Sequence, residues 1–305
     1  MRKCIATVSL SGTLPEKLDA IAAARFDAIE VFENDLIHFR GSPEDLRAMA
    51  ADRGLGIDLY QPFRDLDAAT DDQFRRNLDR AERKFDIMET LGAPMMLVCS
   101  NATPAAVTDD ARIAAQFNAL ADRAALETGA RLGAHEVLLA GNDSDEARLT
   151  DNFAAFCDLA REFGMGANFE PMPWTDVRNF AQGARIVAAS GHENAGIVID
   201  PIHFDRGGSR AEEIASVPRA RLRYMQLCDA PAERPTDTET LLHQARAERL
   251  MPGDGGVDLR GILRAVSPDL PLSLEIPMRT LTPTMPALER VRQMLAKTQR
   301  LLETL

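Results

Sequence analysis

Ile197, Val198 and Ile199 form an unbroken β-branched run between Gly196 and Asp200, with Pro201 directly behind the acid and His203 three residues beyond it. Such a run reads as a strand buried on both faces. Proline cannot continue it, so Asp200 stands at the strand's C-terminal end, where parallel α/β sheets build their ligand sites. The same pattern recurs on either side. Met165-Gly-Ala-Asn-Phe-Glu170 is stopped by Pro171, Leu222 to Asp229 carries Gln226 near its end, and Leu272-Ser-Leu-Glu275 is followed by Ile276 and Pro277. Glu170, Asp200, Gln226 and Glu275 therefore close successive strands. A single acid at a strand end can simply cap the next helix. A whole series of them, some held between apolar neighbours, is too costly to bury without a shared partner. Oxygen ligands converging in this way suit one hard divalent cation, Mg²⁺, Mn²⁺ or Co²⁺.

Upstream, strands and helices alternate. Strands are expected at Cys4 to Leu10, Ala28 to Phe32, Leu55 to Tyr60 and Met95 to Cys99. Helices are expected to open at Leu14-Pro15 and at Ser42-Pro43-Glu44-Asp45, where cap, proline and first-turn acids coincide. A longer helix runs from about Asp71 to Leu91 and is ended by Gly92. A final helix, about Pro286 to Leu302, carries Leu288, Val291, Leu295 and Leu302 as an apolar stripe able to close the ring against the first helix. Short connections marked by Gly or Pro imply a parallel sheet wrapped by helices. The expected fold class is α/β, a TIM (β/α)8 barrel, with residues 1–305 forming a single domain.

One segment strains the strand count. Leu91-Gly92-Ala93, Met95 to Cys99, Asn101, Asp110-Ala-Arg112 and Phe117-Asn-Ala-Leu120 form one unit. Leu132-Gly133-Ala134, Glu136 to Leu139, Asn142, Glu146-Ala-Arg148 and Phe153-Ala-Ala-Phe156 repeat its pattern. A duplicated strand–helix unit within 91–160 gives three strands before the pair, two within it and four after it, nine in all. A barrel of this class closes on eight.

The 305 residues carry a net charge of −12, with 45% hydrophobic and 27% charged residues. That is ordinary for a soluble globular protein and of the wrong sign for a nucleic-acid partner. Cys4, Cys99, Cys157 and Cys228 stand far apart, without zinc-ligand or redox spacing, and read as reduced core residues. Met1-Arg-Lys-Cys-Ile leads straight into a strand pattern. Neither a signal peptide nor a membrane-spanning run is evident, so the cytoplasm is the expected compartment and a membrane is not an expected partner.

Several stretches carry a family resemblance. Ile5 to Leu18, Phe32-Glu-Asn-Asp35, Gln61-Pro-Phe-Arg-Asp65, Asn77 to Asp86 and Leu97-Val-Cys-Ser-Asn101 resemble bacterial 3-dehydroshikimate dehydratases of the xylose-isomerase-like barrel family. Phe169-Glu-Pro-Met-Pro-Trp174, Gln226-Leu-Cys-Asp-Ala-Pro231 and Arg249-Leu-Met-Pro-Gly-Asp-Gly255 are similar to its broader sugar-phosphate isomerase/epimerase members. The resemblance implies a metal set at Glu170, Asp200, Gln226 and Glu275, the positions that the strand ends mark on their own. It places the family's Asp-x-x-His histidine at His203, and implies self-association into homo-oligomers.

In this family an α-hydroxyketone chelates the metal, a base removes the proton between its two oxygens, and the metal stabilises the enediolate. An isomerase or epimerase returns the proton elsewhere; a dehydratase expels a β-hydroxyl, giving protocatechuate from 3-dehydroshikimate. His203, Glu170 and Glu275 are the candidate acid–base groups. A free ketose carries no carboxylate, whereas dehydroshikimate does, and a carboxylate calls for an arginine. Arg64 is the first candidate for that contact, with Arg246 and Arg249 next, and Trp174 is a candidate pocket wall. The expected activity is dehydration of 3-dehydroshikimate, a small-molecule substrate, with ketose or sugar-phosphate isomerisation or epimerisation as the alternative. A nuclease of the same fold would need clustered histidines and a basic surface, and the five histidines here are scattered.

Overall fold

A computed structural model describes residues 2–64, 66–68, 70–100 and 144–305. Parallel strands close in sequence order: β1 (Lys3–Ala6), β2 (Ala28–Phe32), β3 (Gly56–Phe63), β4 (Met95–Val98), β5 (Gly166–Phe169), β6 (Ala195–Ile199), β7 (Leu222–Leu227) and β8 (Leu272–Leu274), with β8 pairing back onto β1. The described helices around them are α1 (Leu14–Ala23), α2 (Glu33–Ile37), α3 (Pro43–Asp52), α4 (Asp71–Leu91), α5 (Glu146–Glu162), α6 (Phe180–Ala189), α7 (Pro201–Arg206), α8 (Ala211–Ile214), α9 (Thr238–Ala247), α10 (Leu259–Ala265) and α11 (Ala287–Leu302). This is the expected TIM barrel, built on the helix-wrapped parallel sheet that the alternation predicts.

Local chemistry sets the element ends. Thr70 caps α4 by accepting a hydrogen bond from the Gln73 amide, and Gly92 ends it in the left-handed region at φ 75°. The inner face of α4 buries Ala81, Phe85 and Met88. Phe85 meets Phe156 of α5 at 5.3 Å, Phe156 meets Phe63 of β3 at 4.7 Å, and Phe153 stands edge-on to Phe169 of β5 at 5.4 Å. These rings clamp α4 and α5 onto the sheet. At the other end of the chain, α11 packs against α1 and closes the helical layer.

Two expectations meet a different outcome. The first strand stops at Ala6, not Leu10, because hydroxyl groups replace its ladder. Thr7 Oγ1 accepts from the Phe32 amide (3.0 Å), while Ser9 Oγ accepts from the Ile276 amide (2.8 Å) and donates to the Leu274 carbonyl (3.1 Å). The chain turns through a short 3₁₀ segment there. The count of nine strands gives way to eight in the closed barrel. Met95 to Val98 pair residue for residue with Gly166 to Phe169, leaving no lateral place between β4 and β5. The first copy of the repeated unit thus supplies the barrel strand, and the helix of the second copy, α5, leads into β5. The other strand, Glu136 to Leu139, lies outside the described residues. Among the described residues all four cysteines are free and buried, and no helix is long and apolar enough to cross a membrane.

Candidate active site

The strand ends deliver their side chains to one mouth of the barrel. Glu170 follows β5, Asp200 follows β6, Gln226 is the next-to-last residue of β7, Glu275 follows β8, and Arg64 follows β3. Glu170, Asp200 and His203 are brought together, each offering a ligand atom within 4.8 Å of the others. His203 Nε2 is 3.6 Å from Asp200 Oδ2 and 3.8 Å from Glu170 Oε1. Asp200 also caps α7, accepting from the Ile202 amide at 3.1 Å, so the capping and site roles coexist in one carboxylate. That cap starts the turn that returns His203 to its acid, since residues three apart share a helix face.

Arg249 ties the remaining acid to this group. Its Nη1 donates to Asp200 Oδ2 at 2.7 Å and to the Glu275 carbonyl at 3.0 Å, and lies 3.6 Å from Glu275 Oε2. Its Nε donates to the Ala245 carbonyl. Buried among carboxylates, Arg249 is placed to neutralise them. Burial opposes ionisation of Asp200, but Arg249 and His203 together hold its pKa below the usual value. Glu170 is pushed well up by burial and by the charges of Glu275 and Asp200. Glu275 is raised by burial against the pull of Arg249. Burial lowers His203 to about 4, so its imidazole is uncharged at neutral pH.

Beneath these groups lies a polar layer that the strand-end pattern does not reveal. Glu30, in the middle of β2 and fully buried, accepts from Gln226 Nε2 at 2.8 Å and from Ser273 Oγ. Burial and then Glu275 push its pKa well up. The signal was present in sequence: Glu30 is a charged residue between Ile29 and Val31 in a strand buried on both faces. The fourth strand-end acid of the second half, Asp229, has a different task. Its carboxylate accepts from the amides of Ala230, Gly253, Gly255 and Val257 at 2.8 to 3.2 Å and so shapes the Pro252–Gly256 turn. A side chain at Gly255 would collide with the Ala230 carbonyl and Asp229.

Arg64 and Arg246 flank the mouth. Both are solvent-exposed, and neither has an acidic ion-pair partner among the described residues. Arg64 is near enough for its charge to be felt by Arg246, His203 and Glu275. The protein packed around Arg246, and after it the like charge of Arg64, bring Arg246 down to about 10. Trp174 is buried, with its ring edge-on to His203 at 4.9 Å and Arg246 lying over it at 5.7 Å. It thus joins the arginine to the histidine.

A model of the xylose isomerase-like TIM barrel family matches residues 18–128 and 123–300. The chain belongs to that family. It is 38% identical over 280 residues to a 3-dehydroshikimate dehydratase of Pseudomonas aeruginosa, a match covering 90% of this chain and 38% of the relative. The similarity to a dehydratase is therefore not confined to the first hundred residues. The chain spans well under half the length of that relative. Among solved structures it is similar to a xylose isomerase-like TIM barrel/4-hydroxyphenylpyruvate dioxygenase fusion protein, with 33% identity, a TM-score of 0.79 and coverage of 100% of this chain and 44% of the other. The IolI protein with a bound zinc atom shares the fold at 16% identity and a TM-score of 0.77, with 100% of this chain and 99% of that one covered.

Proposed function

We propose that this chain dehydrates 3-dehydroshikimate to protocatechuate with the help of one divalent cation. The observation that carries the reading is the pair Arg64 and Arg246, without an acidic ion-pair partner among the described residues, set beside the cluster of Glu170, Asp200 and His203. Two guanidinium groups that feel each other's charge favour an anion between them. A carboxylate on the substrate meets that need, as a sugar phosphate also would, and a free ketose does not. The 38% identity to a dehydratase supports the same choice.

The donor set fits a divalent cation. Glu170 Oε1 and Gln226 Oε1 are buried oxygens without a hydrogen-bond partner among the described residues, and the acids around them repel one another. Such atoms are costly to bury unless a cation takes them up. Glu170, Asp200, Gln226 and Glu275 would hold it, as oxygen donors suited to Mg²⁺, Mn²⁺ or Co²⁺. When bound there, the ion would act as a Lewis acid on the ketone and its neighbouring hydroxyl.

The chain's own residues do the rest. Arg64 and Arg246 bind the carboxylate and fix the ring's orientation, while Trp174 walls the pocket. His203, Glu170 and Glu275 are the groups in place to move protons. Removal of the proton beside the ketone sends its electron pair into the ring. The β-hydroxyl leaves as water once protonated, and tautomerisation gives the catechol. Purified chain incubated with 3-dehydroshikimate and Mg²⁺, Mn²⁺, Co²⁺ or Zn²⁺ should show the ultraviolet absorbance of the aromatic product. No product with any of the four ions, together with turnover of a ketose, would replace this reading with an isomerase or epimerase. We propose a cytoplasmic location as well, the compartment expected from the sequence.

A further inference from the structure

We infer that Glu30 is a positioning residue that fixes the side-chain amide of Gln226, so that the oxygen and not the nitrogen is presented to the cation site. The inference deepens the cation reading above and rests on it.

A glutamine amide has two ends of nearly equal shape and opposite hydrogen-bonding character. Only its oxygen can ligate a cation. Gln226 stands level with Asp200, since Ile199 pairs with Met225 across the β6–β7 ladder, so its amide lies where either end could face the acids. Its Nε2 donates to Glu30 Oε1 at 2.8 Å, which leaves Oε1 buried and unpartnered. Turning the amide over would set two oxygens against each other at that distance wherever Oε1 carries no proton, as in the observed arrangement in which Oε1 accepts from Nε2. Glu30 therefore selects one orientation. The choice does not depend on which of Ser273 and Glu30 Oε2 carries the proton between them, because Glu30 Oε1 accepts from the amide either way.

The sheet is built to let Glu30 reach. Glu30 belongs to β2, whereas Ser273 and Gln226 sit side by side on β8 and β7, with β1 in between. The β1 residue level with Glu30 is Ala6, and the one level with Ser273 is Cys4. Both are small, so the Glu30 side chain crosses over β1 inside the barrel. Ser273 Oγ holds its second oxygen and stops the carboxylate from rotating. Partners of this kind, behind a ligand, commonly change metal affinity about 10- to 100-fold when removed.

The test uses the full chain, stripped with chelator and titrated calorimetrically with Mn²⁺ or Co²⁺. Glu30→Gln keeps the shape but presents an oxygen or an NH₂ with equal ease, so it no longer dictates the amide's orientation. It should weaken cation binding about tenfold or more, while melting of the metal-free protein shifts little. The double variant Glu30→Gln/Gln226→Glu supplies a carboxylate that has no wrong way round, and the amide introduced on β2 can donate to it. It should recover cation affinity to within about threefold of the parent, an outcome that a merely structural role for Glu30 does not produce. Parent-like affinity in Glu30→Gln, or a double variant no tighter than Glu30→Gln alone, overturns the inference and leaves the cation reading standing. A parent chain that binds neither ion overturns both.

Discussion

Arg64 and Arg246 are near enough to feel each other's charge, and among the described residues neither has an acidic partner, so a substrate carboxylate between them is the proposed counter-charge. Arg64→Ala should therefore raise KM for 3-dehydroshikimate by about 10- to 100-fold, the scale of ~1.5–3 kcal/mol for a hydrogen bond to a charged group. Cation affinity should be unchanged, since Arg64 is no ligand. Steady-state kinetics with a parallel cation titration checks both; an unaltered KM would remove Arg64 from substrate binding. Arg249 was legible as a candidate of the same kind, but its partners were not: the acids it neutralises, Asp200 and Glu275, come from other strands. Glu170, Asp200 and Glu275 could be read because proline marks those strand ends locally, and Gln226 because it falls in the same place in the series. Glu30 escaped because its partners lie on β7 and β8, nearly two hundred residues or more downstream.

At the scale of the element, local signals translated directly into structure. Ser42 Oγ accepts from the Asp45 amide at 3.2 Å while Asp45 Oδ2 accepts from the Ser42 amide at 2.8 Å, a reciprocal cap that opens α3. Ser42→Ala should lower stability by ~1 kcal/mol in denaturant unfolding, with activity unaffected. Gly92, at φ 75°, closes α4 in a conformation that a side chain strains, and Gly92→Ala should cost ~1 kcal/mol or more by the same measurement. Elements defined by distant partners were less legible. The early end of β1 is set by Phe32, Leu274 and Ile276, which the run from Cys4 to Leu10 does not announce. The repeated unit was visible as a pattern, yet which copy enters the sheet is settled by β4 pairing with β5, a register that sequence alone leaves open.

Over the whole molecule, the alternation of strands and helices made a parallel sheet wrapped by helices legible, and the family resemblance is what pointed to its closure as a barrel. Its polar interior was not foreseen in full, and that interior has a consequence for stability. In the metal-free chain Glu30, Glu170 and Glu275 have pKa values raised by burial and mutual repulsion. A carboxyl whose folded pKa lies above its unfolded value binds more protons in the fold. Its contribution is fully present below the unfolded pKa, about 4.5 for glutamate, and is lost as pH rises through the folded value. A cation reverses this, since it requires the ligands to be deprotonated. At a cation concentration of about 100 Kd the fold should gain ~2.7 kcal/mol, roughly 5 °C in Tm for a chain of this size. The gain at a fixed cation concentration should be larger at about pH 8 than at about pH 6. Thermal melts with chelator and with Mn²⁺ at the two pH values measure both slopes. A Tm increment that is independent of pH would mean that the ion binds away from the buried acids.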